Sequence, residues 1–129
     1  MEPLSSAECR AFLAGGGVGR FLFSEPRGPV AVPVNYRMLG DDIVFRTAAG
    51  ASPAAGAAQQ RVSFEADHLD EALGEGWSVL VSGHARTVTG AAELAEVQRL
   101  GVAPWAGGTR ETYVRITPAV MTGRRIRSA

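Results

Sequence analysis

A chain of 129 residues, 46% of them hydrophobic, is long enough to enclose one core and too short to expect two, so residues 1–129 read as a single domain. Thirteen acidic residues balance thirteen basic ones and every basic residue is Arg, which leaves no net field to draw nucleic acid or an anionic membrane and no ε-amine for a Schiff base or a lysine-based phosphate loop. The lone cysteine, Cys9, excludes an intrachain disulfide and a multi-thiolate zinc site; no window has the apolar length of a signal peptide or membrane span, so a reducing, cytoplasmic setting is expected.

Leu4 to Gly17, "LSSAECRAFLAGGG", begins as a helix. Ser5 and Glu8 have capping-box spacing, Leu4 and Cys9 can form the hydrophobic staple, and Gly15 to Gly17 stop the run. Cys9 falls on the apolar stripe with Phe12 and Leu13 and reads as a packed small hydrophobe. "VGRFLFS" (18–24), "PVAVPVNYRML" (29–39) and "DIVFRTA" (42–48) then form a three-strand meander with turns at 25–28 and 40–41. Pro33 removes a ladder donor from the second of these strands, which makes it an edge, a bulge, or a place where something other than a strand lies alongside.

Ala-rich "SPAAGAAQQ" (52–60) reads as a short helix with Ser52 as N-cap and Pro53 at its first position. "RVSFEADHL" (61–69) alternates, placing Val62, Phe64 and Ala66 on one face and Ser63, Glu65 and Asp67 on the other. "WSVLVSGHARTV" (77–88) alternates too, with Ser82, His84 and Arg86 sharing a face. Glu65 and Asp67 are either a working pair of carboxylates or the polar face of a strand, and pairing of the two strands would bring them near a His and an Arg. "AAELAEVQRLG" (91–101) is an amphipathic helix closed by Gly101, "PWAGGTR" is a loop, and "ETYVRITPAVMTGRRI" supplies one or two final strands. Six or seven strands with short helices and no regular βαβ alternation predict a mainly β (α+β) fold, a small antiparallel barrel whose closure removes exposed edges.

"TAAGASP" (47–53) leaves a strand after Phe45 and Arg46, turns through Gly50 and enters the capped helix. Its unsatisfied N–H groups, with Arg46, Thr47 and Ser52, can hold a phosphate; an ordinary strand-to-helix connection has the same form.

"VGRFLF", "VPVNYRM", "DIVFRTAAGAS", "RVSFEAD", "GWSVLVSGHART", "PWAGG" and "VRITPAVMTGRRI" occur in an order and spacing that resembles the pyridoxamine 5'-phosphate oxidase-like family, over nearly the whole chain from Leu4 to Arg125. The resemblance implies a six- to seven-stranded antiparallel split β-barrel with short flanking helices, acting as a homodimer with FMN, or the related deazaflavin F420, in a cleft between subunits. It implies that Pro33, Val34, Asn35 and Tyr36 run beside the flavin ring and that Phe45, Arg46, Thr47, Gly50 and Ser52 surround the ribityl phosphate. Trp105, in the Gly-rich loop, either packs in the core or rim or covers a flavin or a substrate. An F420 tail would call on Arg20, Arg37 and Arg110. The family's usual Lys after this loop is replaced by Pro53 and Ala54, a loss of a charge-assisted contact of roughly 1.5–3 kcal/mol.

In that setting Glu65 and Asp67 are expected to be solvated or matched to Arg86 or Arg61 across the hairpin. His84 has neither a second His nearby nor a Cys ligand and is a poor metal candidate, His68 is expected to be exposed, and Trp77 to pack at the barrel rim. No side chain is assigned a catalytic role and no metal is expected. The function implied is a flavin-dependent oxidoreductase acting on a small-molecule substrate, with an F420-dependent reductase or a non-catalytic flavin- or haem-binding protein as alternatives. Oxidation of pyridoxamine 5'-phosphate itself is disfavoured, because no second basic set for another phosphate is visible.

Overall fold

The computed structural model describes residues 2–48, 61–103 and 111–127. Among them, β1 (Glu2–Pro3), β2 (Gly17–Glu25), β3 (Gly28–Leu39), β4 (Asp42–Ala48), β5 (Val62–Asp70), β6 (Glu75–Thr87) and β7 (Glu111–Ile126) are joined with two helices, α1 (Ser6–Leu13) and α2 (Ala91–Gln98). The antiparallel sheet runs β1-β7-β4-β3-β2-β5-β6, and β6 also pairs with β7, so the sheet curls back on itself as a split barrel. The Ala-rich helix and the "PWAGGTR" loop expected from the sequence lie outside the described residues.

Period-two burial builds the barrel. Phe21, Phe23, Val34, Tyr36, Ile43, Phe45, Val62, Phe64, Val79, Val81, Val114 and Ile116 point inward, with Phe45 between Phe21 (ring centroids 4.9 Å) and Phe64 (6.4 Å). Gly19 is required by this packing, because a Cβ there would lie 2.7 Å from Cε1 of Phe64. Gly40, at φ +61°, supplies the left-handed turn between β3 and β4.

The capping box at Ser5 and Glu8 forms in both directions, and α1 lays Cys9 and Leu13 against one end of the barrel. Burial pushes the Cys9 thiol up, which keeps it a neutral apolar group. Trp77 stacks on Phe12 of α1 with centroids 4.8 Å apart, at the rim.

A second, smaller core lies outside the barrel wall. Val44 and Tyr113 face away from the interior and are covered by Val97, Val102 and Val88, with Leu94 and Leu100 beside them. Ion pairs hold α2 in this position: Arg115 donates to Asp42 Oδ2 (2.7 Å) and Glu93 Oε2 (3.0 Å), and Glu93 also takes both guanidinium arms of Arg86. The C-terminal segment is one strand of 16 residues, and the register shift opposite Ser82 and Gly83 accommodates Pro118 within it.

Candidate cofactor site at the split between two strands

β3 and β4 pair only from Leu39↔Asp42 to Tyr36↔Phe45. Past that point β4 stays on β7, with Arg46↔Tyr113, Thr47↔Thr112 and Ala48↔Glu111, while residues 28–35 of β3 stay on β2. The two strands therefore part, and the backbone of 28–35 has a strand on one side only among the described residues. Pro33 lies in this open stretch, exposed, opposite Arg20 of β2. Among the described residues the stretch around Pro33 is an edge, and its register with β2 runs without a bulge.

The other expected site residues divide by face. Val34 and Tyr36 point into the barrel; Tyr36 meets Phe64 edge-on at 5.0 Å, and burial pushes its phenol up to about 12, so it stays protonated at neutral pH. Asn35 is half-buried on the opposite side. Phe45 is wholly enclosed in the core, between Phe21 and Phe64. Arg46 and Thr47, neighbours in an extended strand, turn opposite ways. Arg46 goes outward, donating through Nη1 to the Val102 carbonyl (2.9 Å) with its guanidinium 5.2 Å from the Tyr113 ring centroid. Thr47, 8% exposed, is the one buried polar residue among those described, and its hydroxyl has no hydrogen-bond partner among them. It sits where β4 leaves β3. Gly50, Ser52 and Trp105 lie outside the described residues, as do Pro53, Ala54 and Arg110.

Glu65 and Asp67 have a different partner from the expected one. The β5–β6 register sets Glu65 opposite Leu80 and Asp67 opposite Ser78, so His84 and Arg86 do not meet them; Arg86 is taken by Glu93, and His84 faces Thr117 of β7. The cation is Arg20, which donates through Nε to Glu65 (2.6 Å) and through Nη2 to Asp67 (2.8 Å). β2 brings it there by pairing with β5 over Arg20–Leu22. Sequence inspection missed this because the two strands are far apart along the chain and only the closed barrel makes them neighbours. His68 is exposed. No group of three or more His, Cys, Asp or Glu able to hold a metal occurs among the described residues.

One guanidinium serving two carboxylates makes Arg20 the critical member. Burial, and then the neighbouring Asp67, push the Glu65 carboxyl above its ordinary value of 4.5. Its contribution to stability is therefore fully present below pH 4.5 and declines as pH rises through the elevated folded-state value. Arg20→Met strands both carboxylates and is expected to cost about 1–2 kcal/mol at pH 7, after allowance for screening at a partly exposed site, and distinctly less at pH 4, where protonation removes the repulsion. Urea unfolding at the two pH values measures it; an equal loss at both would contradict the assignment.

The fold is shared with known proteins. A family model described as pyridoxamine 5'-phosphate oxidase matches residues 5–125. Two uncharacterized proteins of Mycobacterium tuberculosis are similar in sequence: Rv0080, 34% identical over 95% of this chain and 84% of its own length, and Rv3129, 39% identical over 68% of this chain and 78% of its own. Among solved structures, the FAD binding protein from Mycobacterium smegmatis superposes with a TM-score of 0.86 at 37% identity, covering 98% of this chain and 99% of the other.

Proposed function

The chain belongs to the pyridoxamine 5'-phosphate oxidase-like family, and on that premise we propose that it is a flavin-dependent oxidoreductase whose cofactor lies along the open edge of β3. One observation carries the reading: β3 and β4 part beyond Tyr36↔Phe45, leaving residues 28–35 with a strand on one side only among the described residues, and the partnerless hydroxyl of Thr47 lies two residues past the parting point on β4. An open strand edge offers alternating N–H and C=O groups, which is the recognition that the polar rim of an isoalloxazine or deazaflavin ring needs. Pro33, lacking an N–H, also protects that edge against pairing with another chain. When bound, the flavin supplies the hydride or electron transfer. The residues of this chain bind and orient: the β3 backbone lines the ring edge and Thr47 donates a hydrogen bond.

The FAD binding protein of M. smegmatis, 37% identical, supports FAD as the flavin. So does the phosphate loop. With Pro53 and Ala54 in place of Lys, a terminal FMN phosphate has one cation fewer, whereas FAD spreads its binding over a pyrophosphate and an adenosine. The second subunit of a homodimer is proposed to wall the open side of the cleft and leave one ring face free for a small-molecule substrate. A monomeric mass by light scattering at micromolar concentration would contradict that part.

Titration with FAD, FMN, F420 and haem, followed by visible absorbance, tests the reading. FAD is expected to bind in saturable fashion and ahead of the other three. Thr47→Val, which keeps the shape and deletes the hydroxyl, is expected to weaken FAD binding about fivefold, the worth of one neutral hydrogen bond, while leaving thermal stability unchanged or raised. Undiminished affinity in Thr47→Val would remove Thr47 from the site.

A further inference from the structure

We propose a second ligand site on the outside of the barrel, in a groove of about 590 Å³, that takes a small organic anion with an apolar body. The groove has a structural cause on each side. Among the described residues, β2 pairs with β5 only from Arg20↔Glu65 to Leu22↔Ser63; beyond this it continues with β3, and the groove opens beside Val62. Across β6, the partner of Ser82 is Val120 while that of Gly83 is Pro118, so Ala119 is an extra residue that bulges the β7 wall. Because the β2–β3 hairpin separates this groove from the split beside β4, the proposal does not rest on the cofactor reading.

The lining is chemically one-sided. Arg61 and His84 reach the groove, no carboxylate lines it, and neither of these two side chains has a hydrogen bond or ion pair among the described residues. The acids of the same outer face, Glu65 and Asp67, are committed to Arg20. Ser63 and Ser82 stand directly opposite each other on β5 and β6 and add two hydroxyl donors. Leu80 and Val120, 45% and 57% exposed, form an apolar bank beside these donors. Two cationic or imidazole donors with no described carboxylate beside them, next to exposed aliphatic surface, match a carboxylate or sulfonate head on an apolar body, and the volume falls within the range of small-molecule sites.

The probe is 8-anilinonaphthalene-1-sulfonate, which joins a sulfonate to an aromatic body and reports binding by fluorescence. Its uncharged analogue N-phenyl-1-naphthylamine is the control. The sulfonate is expected to bind with 1:1 saturation, and the double variant Arg61→Gln/His84→Gln to weaken it about tenfold, with no change for the uncharged analogue. Arg10→Gln, which removes an exposed cation on α1, is expected to leave the sulfonate affinity alone. Flavin affinity of the double variant is measured in parallel and is expected to be unaltered, so failure here and failure of the cofactor site are separable. The proposal is overturned if the double variant binds the sulfonate as tightly as the wild type, if the uncharged analogue binds equally well, or if probe binding falls as protein concentration rises, the sign of a groove covered by a second copy.

Discussion

Phe45→Ala is expected to lower the unfolding free energy by about 3–5 kcal/mol, the largest stability loss of the substitutions considered for this chain. Phe45 is completely buried and sits between the rings of Phe21 and Phe64, so truncation removes both apolar transfer energy and two aromatic contacts. The site is poorly able to collapse, because Phe45 lies on the strand held by β3 on one side and β7 on the other. Both of those ladders fix its backbone. Urea denaturation with a leftward midpoint and an unchanged slope would register the loss as a change in stability alone. A loss below about 1 kcal/mol would mean that the interior repacks around position 45, and that the barrel core is softer than its packing implies.

Arg46→Ala is expected to have two effects of similar size. Stability falls by about 1.5–3 kcal/mol, because the Val102 carbonyl loses a charged donor and Tyr113 loses the guanidinium lying over its ring. Flavin affinity is expected to fall as well, by about tenfold, since Arg46 anchors the end of β4 next to Thr47, the residue proposed to meet the cofactor. Arg46→Lys keeps the positive charge and loses the planar fork, so it separates the two roles. If charge near the cofactor phosphate matters, Lys restores flavin affinity while stability stays low; if strand position matters, neither recovers. An Arg46→Ala protein that binds flavin as the wild type does would exclude Arg46 from the cofactor role.

The barrel was largely legible because period-two alternation survives tertiary packing. Val62, Phe64 and Ala66 face inward as their spacing requires, and the meander of β2, β3 and β4 follows from turn residues at 25–28 and 40–41. The capping box at Ser5 and Glu8 is a local device, fully specified by four residues. Pro33 was informative for the same reason: a missing donor is a local fact with a topological consequence.

What escaped the sequence depends on strands meeting far along the chain. Arg20 becomes the partner of Glu65 and Asp67 only because β2 and β5 lie side by side, a pairing with no local signature. The clamp of Arg115, Asp42 and Glu93 joins three elements in the same way. β1, two residues long, is below the length at which alternation can be seen. By contrast, the divergence of Arg46 and Thr47 was legible and overlooked: neighbours in a strand point to opposite faces, so adjacency in the phosphate motif does not make them joint ligands through their side chains.

Amide hydrogen exchange with and without FAD tests the central claim most directly, because it reads the backbone edge itself. Binding is expected to slow exchange at the amides of Ala31 and Asn35, which alternate with Pro33 and point away from β2, while the amides of β5 and β6 keep their rates. FAD binding that leaves Ala31 and Asn35 unprotected, or no binding at all, would contradict the placement of the cofactor in the split between β3 and β4.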